Sequence, residues 1–348
     1  TLASRALPVL LFATVQYQRR AIVHLCNWHV STRHYRSTTL HSRRILGPIR
    51  TVTAMPKRRK ILITGATGFT GRYAVAEFLR HSNRYDVSIF ARNPARVRAV
   101  FPKCATKVHY GDLGDRESFA QALSGQDILL NLASLGFGHC DSIVSSCVES
   151  DLDRALFVSS TSIYTHLNPS SKAIRLAAEE RIRSSGLRYT IVRPTMIFGY
   201  PGDRNIERLV RYIARWPVLP VPGPGTYLIQ PIYAQDLVNA FVHILDHEST
   251  IGQAYNLSGK EAVPYNDLVK MIAELCGRRC HVVHIPLRLM VAAFRIHEMI
   301  SRNPKITVEQ LMRLNEHKAF DHEKAIEEFD YCPSSLQEVL RSEVRQLL

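Results

Sequence analysis

The chain has 348 residues, 46% of them hydrophobic, with 45 Lys and Arg against 30 Asp and Glu for a formal net charge of +15. That length suits one large α/β domain with a smaller appended one, and no apolar run approaches the ~18 residues needed to span a bilayer. Twelve of the net positive charges lie in residues 1–60, which hold no acid (the first is Glu77), so the body is nearly neutral and a nucleic-acid-binding surface on it is not expected.

Residues 1–54 are rich in Arg, Ser, Thr and His, with an apolar patch at 7–15 followed by Arg19 and Arg20. These are features of an organellar transit peptide. Met55, opening MPKRRKILITG, is also a natural beginning, and residues 1–54 are then an upstream extension. Either reading leaves this leader outside the fold. From Lys60 the chain alternates strand and helix signals. Strands are predicted at 61–63, 87–89, 107–110, 128–132, 155–159 and 189–192, and helices at 94–101, 116–123, 142–150 and 172–185, the last closed by Gly186. Such alternation implies a parallel sheet covered on both faces, wound in the order 3-2-1-4-5-6. Pro217, Pro220, Pro222 and Pro224 predict a rigid loop over 216–224, residues 230–245 read as a strand and helix rejoining the sheet, and helices at 265–276 and 287–301 suggest a smaller lobe. The division expected is a leader (1–54), a Rossmann domain (55–200), and a last part (201–348) holding a remaining sheet element at about 226–246 and a C-terminal substrate lobe.

The first strand runs into Gly65, Gly68 and Gly71, and a helix with Val75, Phe78 and Leu79 on one face follows. Gly65 allows a sharp turn, Gly68 a close approach to a pyrophosphate, and Gly71 tight packing of helix on strand. Phosphates then meet unpaired N–H groups at the positive end of the helix. At the end of the second strand stands Arg92, where an acid would bond the ribose of NAD; an arginine accommodates the 2′-phosphate of NADP instead. NADP(H) is therefore favoured over NAD(H), which is not excluded.

The spacing G-x-x-G-x-x-G in TGATGFTG resembles the short-chain dehydrogenase/reductase superfamily, in its extended and atypical branches that include NAD-dependent epimerase/dehydratase proteins. The resemblance covers residues 56 to 348. It implies a cofactor site of Gly65, Thr67, Gly68, Phe69, Thr70, Gly71 and Arg92. To these it adds Asp112 and Leu113 of the GDL segment on the adenine side, Leu132, Ala133 and Ser134 beneath the ribose, and Pro194 of the RP segment beside the nicotinamide. The superfamily's active site uses a hydroxyl residue to orient the substrate oxygen, a tyrosine to move the proton, and a lysine four residues on that also holds the ribose. SSTSIY resembles the segment that carries the hydroxyl, matched by Ser160, and SKA…EE resembles the helix that carries the lysine, matched by Lys172. Four residues before Lys172 stands Asn168, not Tyr. Tyr164 either supplies the phenol or packs at the end of the fifth strand. The catalytic candidates are thus Ser160, Tyr164 and Lys172, and Asp236 is expected to cap the helix that follows it.

The seven cysteines show no framework spacing, Cys276 and Cys280 have no second pair to complete a zinc site, and His281 and His284 miss helical ligand spacing, so no metal is expected. The function implied is NAD(P)-dependent redox or nucleotide-sugar epimerase/dehydratase chemistry on a carbonyl or hydroxyl. The alternative is a catalytically silent NADP(H)-binding accessory protein, in the manner of the complex I subunit of this branch. The partners expected are a small-molecule substrate, a nucleotide sugar among the candidates, and compatibly a second copy in a homo-oligomer, with no nucleic acid and no membrane span. The compartment expected is the cytoplasm, or the mitochondrion if the leader is a transit peptide.

Overall fold

The computed structural model describes residues 57–103, 106–300 and 308–348; the expectations for residues 1–54 lie outside these. Six strands follow the predicted sequence: β1 (Arg59–Thr64), β2 (Tyr85–Ala91), β3 (Lys107–Tyr110), β4 (Ile128–Asn131), β5 (Arg154–Val158) and β6 (Tyr189–Pro194). All pair in parallel, in the order 3-2-1-4-5-6. Parallel neighbours need crossovers, supplied by α1 (Phe69–Arg80), α2 (Pro94–Val100), α3 (Arg116–Leu123), α4 (Cys140–Glu149) and α5 (Ser170–Arg183).

Alternation along each strand divides the core. In β1, Ile61 and Ile63 face one layer with Ala74, Val75 and Phe78 of α1, while Leu62 faces the other with Phe119 and Leu123 of α3, Val144 of α4 and Ile182 of α5. Both layers are apolar beneath the central strands, because helices cover the two faces of a parallel sheet. Central strands accordingly read as near-continuous apolar runs.

The seventh strand departs from expectation. The sheet is completed by β11 (Gln253–Leu257), parallel to β6, and not by residues 230–245. Within that segment only β10 (Ile232–Tyr233) is extended, and it pairs with β7 (Ile197–Phe198) in a separate two-stranded ribbon. The helix that follows, α7 (Ala234–Asp246), is the crossover that must precede the seventh strand. As an edge strand, β11 has the mixed composition QAYNL, which hid it.

Residues 216–224 hold a second departure. Despite its prolines, β8 (Val218–Pro222) pairs in parallel with β13 (His281–Ile285). A strand with a single neighbour needs donors only at alternate residues, so prolines are tolerated there. This ribbon joins α6 (Ile206–Arg215), α8 (Tyr265–Leu275) and α12 (Leu336–Leu347) around a third core built on Val210, Ile213, Val221, Val269, Ile272 and Leu340. The ribbon of β9 (Leu228–Ile229) with β12 (Val263–Pro264) lies beside it in sequence. Helices α9 (Leu287–Ile300) and α10 (Val308–Arg313) follow β13, whereas α11 (Glu323–Phe329) returns to the central sheet, where Ala325 and Phe329 pack with Phe241 and Tyr255.

Glu343 of α12 is 3% exposed in the third core. Burial, with the neighbouring Asp203 carboxyl adding like charge, pushes its pKa up to about 8 from 4.5. The unfolded carboxyl releases its proton near 4.5 while the folded one keeps it, so this contribution to stability is full below 4.5 and is lost as pH rises through about 8. Glu343→Gln keeps the volume and removes the titration. Melting curves between about pH 5 and pH 8 should therefore flatten, with the variant melting several degrees above the native chain at the upper end. Parallel pH profiles for the two proteins would contradict this.

Candidate functional site

The glycine loop stands at the C-terminal end of β1. Gly65 has φ of +66°, and a Cβ there would lie 2.8 Å from the backbone of Leu132 and Ala133 at the end of β4. A Cβ at Gly71 would lie 2.3 Å from the Gly65 carbonyl oxygen, so helix and loop approach as only glycine permits. Between them the Gly68 N–H donates to the Gly65 carbonyl at 2.9 Å. Beneath the loop, Thr64 Oγ1 donates to Asn131 Oδ1 at 2.7 Å, and Asn131 Nδ2 donates to the Ala133 carbonyl at 3.1 Å. Helix α1 starts at Phe69 with no side-chain cap and no acid in its first turn. Its first N–H groups thus meet no competing carboxylate, and the cradle fits a pyrophosphate. Phe69 stacks edge-on to Tyr73 at 5.5 Å, and Ser134 caps the following turn by accepting from the Gly136 N–H.

Arg92 follows β2 with its side chain 74% exposed, 3.4 Å from Asp112 Oδ2. The other Asp112 oxygen accepts from the Gly114 N–H at 2.8 Å; that bond first, and Arg92 after it, hold the carboxyl below its usual range. A surface pair of this kind is worth about 0–1 kcal/mol, so an incoming phosphate can compete for Arg92. A second guanidinium was missed by sequence reasoning. Arg96 Nη2 reaches the Thr67 carbonyl at 3.5 Å, bringing its charge beside the glycine loop. The available signal was its place one helical turn after Arg92, behind Asn93, whose side chain accepts from the Arg96 N–H and caps α2. Leu113 and Leu132 pack against the two core layers below.

Tyr164 lies in the short 3₁₀ turn Thr161–Tyr164 after β5. The residue is 44% exposed, and its ring lies 5.5 Å from that of Phe320. The phenol oxygen accepts from Arg193 Nη1 at 2.9 Å, and its hydrogen points to Asn256 Oδ1 at 3.2 Å. Arg193 is itself fixed by the carboxylate of Glu179, through Nε at 3.0 and 3.1 Å and Nη2 at 2.5 Å. Glu179 is 1% exposed and also takes Arg183 at 2.8 Å. Burial acts against its charge, yet the bonds from Arg193 and Arg183 hold its carboxyl below the usual range. Arg193, whose charge burial also opposes, is held above its ordinary value by Glu179.

Lys172 sits in the first turn of α5, and its Nζ donates to the Thr165 carbonyl at 2.6 Å. Ser160 Oγ accepts from the Ser162 N–H at 3.1 Å, capping the turn that presents Tyr164. Thr161 Oγ1 donates to the Pro194 carbonyl at 3.2 Å, tying the ends of β5 and β6. Asp236 is no helix cap: its carboxylate accepts from the Ser334 N–H and hydroxyl at 2.8 and 2.9 Å, anchoring the chain before α12. The local pattern suggested a cap because Asp in a first turn commonly serves as one. No group of three or more potential metal-ligating side chains gathers among the described residues.

Residues 65–209 match the family described as NAD(P)H-binding. The chain is 26% identical over 268 residues to NADH dehydrogenase (ubiquinone) 1 alpha subcomplex subunit 9, mitochondrial, of Dictyostelium discoideum, spanning 72% of this chain and 73% of that protein. It is 29% identical over 246 residues to ceramide reductase of Caulobacter vibrioides, spanning 67% and 75%. Among solved structures, UDP-glucuronic acid 4-epimerase from Bacillus cereus in complex with NAD superposes with a TM-score of 0.64 at 19% identity, over 83% of this chain and 98% of that one. An epimerase from Methanothermobacter thermautotrophicus gives 0.66 at 17%, over 83% and 91%. These superpositions establish a shared fold.

The Glu179–Arg193 pair supports a stability test. Arg193→Met removes the guanidinium and leaves Glu179 buried with Arg183 alone, which should cost about 3 kcal/mol in denaturant unfolding. Tyr164→Phe removes one exposed hydroxyl and should cost less than about 1 kcal/mol. Equal losses in the two variants would contradict the placement of the buried charge.

Proposed function

We propose that this chain, which belongs to the short-chain dehydrogenase/reductase superfamily, is an NADP(H)-preferring oxidoreductase or epimerase-type enzyme acting on a carbonyl or hydroxyl. The observation that carries this reading is the phenol of Tyr164, solvent-accessible at the C-terminal end of β5 and held between a guanidinium donor and an amide acceptor. Ligands of open α/β sheets bind outside the carboxyl ends of the strands, on the side where Tyr164 lies. A bound nicotinamide would supply hydride chemistry there. Tyr164 then exchanges its proton with the substrate oxygen, and the Arg193 cation stabilises the negative charge left on the phenol oxygen. Ser160 orients the substrate oxygen, and Lys172 holds the ribose once its ammonium turns from the Thr165 carbonyl. The nucleotide-sugar class is supported by the likeness to UDP-glucuronic acid 4-epimerase.

The cofactor set is that of the sequence reading, with Arg96 added. The loop Gly65, Thr67, Gly68, Phe69, Thr70 and Gly71 takes the pyrophosphate, Asp112 and Leu113 the adenine side, and Leu132, Ala133, Ser134, Pro194 and Lys172 the ribose and nicotinamide. Two guanidinium groups near the end of β2, Arg92 and Arg96, support NADP(H) over NAD(H). We place the protein in the cytoplasm; the mitochondrion is the alternative if residues 1–54 act as a transit peptide.

A second reading is a silent dinucleotide-binding accessory protein. Two observations favour it: Asn168 stands where the superfamily's tyrosine would, and the Lys172 ammonium is engaged by Thr165. Its likeness to a complex I subunit is the further support.

Turnover separates the two readings. In a screen of carbonyl substrates that includes nucleotide sugars, NADPH should be consumed, and Tyr164→Phe should slow this by roughly 10²-fold or more. Tight NADPH binding, read by fluorescence, with no turnover on any substrate would favour the silent binder. Coenzyme choice is tested separately. Arg92→Ala and Arg96→Ala should each weaken NADPH by roughly tenfold or more, the loss of a bond to a charged group, while NADH binding changes little. Equal losses for both coenzymes would overturn the preference.

A further inference from the structure

Helix α9 carries an apolar stripe that nothing in the described chain covers. Leu289, Ile296, Met299 and Ile300 are 64, 59, 86 and 80% exposed, and Ala292 and Ala293 between them are exposed as well. Their spacing of three, four, seven and eleven residues gathers them on one side of the helix. The opposite side carries buried Met290 and half-buried Leu287, Val291 and Phe294, and the helix packs against α10. Isolated exposed apolar residues are ordinary, whereas four large ones in one continuous stripe mark a surface that is covered in use.

The charge around the stripe selects its occupant. Residues 276–297 contain four arginines and three histidines and no acid, in a body whose charges otherwise nearly balance. Arg288 and Arg295 flank the stripe along one edge, both exposed, and neither forms an ion pair among the described residues. The one acid of the helix, Glu298, is turned to the chain, where it accepts from the Val308 N–H at 2.8 Å. A second copy packed on this face would bring no acid from residues 276–297 to either arginine. An anionic headgroup layer complements them, with the hydrocarbon boundary beneath taking the stripe. The helix has 14 residues, about 21 Å at 1.5 Å per residue, against about 30 Å of hydrocarbon. It fits the geometry of a helix lying in the interface, and no described helix is long and apolar enough to cross a membrane.

We propose that α9 is a peripheral membrane-docking helix, by which the C-terminal lobe seats on an anionic lipid bilayer with Leu289, Ile296, Met299 and Ile300 in the interface and Arg288 and Arg295 on the headgroups. The site is separate from the dinucleotide cradle and does not depend on the proposed chemistry.

Co-sedimentation of the full chain with vesicles tests it. Binding is expected to phosphatidylcholine vesicles containing about one-third phosphatidylserine, and weaker binding to phosphatidylcholine alone. Arg288→Ala with Arg295→Ala should weaken binding to the anionic vesicles by roughly twentyfold to thirtyfold, at about fivefold per arginine. Leu289→Glu with Ile296→Glu changes exposed side chains only and should abolish binding, with the circular dichroism spectrum and melting temperature of the native chain retained. Absence of binding by the native chain, or equal binding by both variants, would overturn the proposal. So would ultracentrifugation showing a dimer that Leu289→Glu with Ile296→Glu converts to monomer, because a second copy would then be what covers the stripe.

Discussion

At Gly65 the backbone leaves β1 in a left-handed conformation and passes so close to Leu132 and Ala133 that no side chain fits between. That contact sets the height of everything at the C-terminal end of the sheet. Gly71 brings α1 down onto the same loop, and the Thr64–Asn131 hydrogen bond fastens the two central strands beneath it. Any side chain at Gly65 would push β4 and the loop apart. The first-turn N–H groups of α1 would then lose their common direction, on which anion binding at a helix N-terminus depends.

A buried charge fixes the groups at the ends of β5 and β6. Glu179 on α5 and Arg193 on β6 are joined through three hydrogen bonds, which fixes the guanidinium plane. One nitrogen, Nη1, remains to reach the Tyr164 phenol from a direction set by the fork. A lysine could not do this, since an ammonium is a point charge on a flexible stem. The superfamily's tyrosine and lysine lie one helical turn apart on a single helix. Here phenol and cation come from two different elements, and their geometry rests on the strand order β5–β6 together with a buried ion pair.

Much of the fold was legible because its signals are local. An apolar run, a three-residue glycine spacing and a helix period are properties of neighbouring residues, so β1 to β6 and their winding followed from them. The two misread stretches are both strands with a single neighbour, β11 at the edge of the central sheet and β8 in a separate two-stranded ribbon. In β11 the sequence QAYNL carries no continuous apolar run, and in β8 the prolines that would disrupt a central strand are harmless beside a single partner. Asp236 misled for another reason: its first-turn position is that of a capping residue, while its partner, Ser334, lies 98 residues away.

By itself, the amino-acid sequence determined the strand–glycine–helix unit, the doubly wound order, the arginine at the end of β2 and the absence of a tyrosine four residues before Lys172. Each is a matter of residue type at short spacing, where steric and hydrogen-bonding preferences act directly on the chain. Only the tertiary structure decided that Tyr164 meets Arg193 and Asn256, 29 and 92 residues further on, and that Lys172 turns to Thr165. It likewise decided that Arg96 joins the glycine loop and that one side of α9 is left uncovered by the described residues. Such contacts depend on which strands become neighbours and at what register, and that is settled by packing of the whole core, beyond the reach of any local pattern.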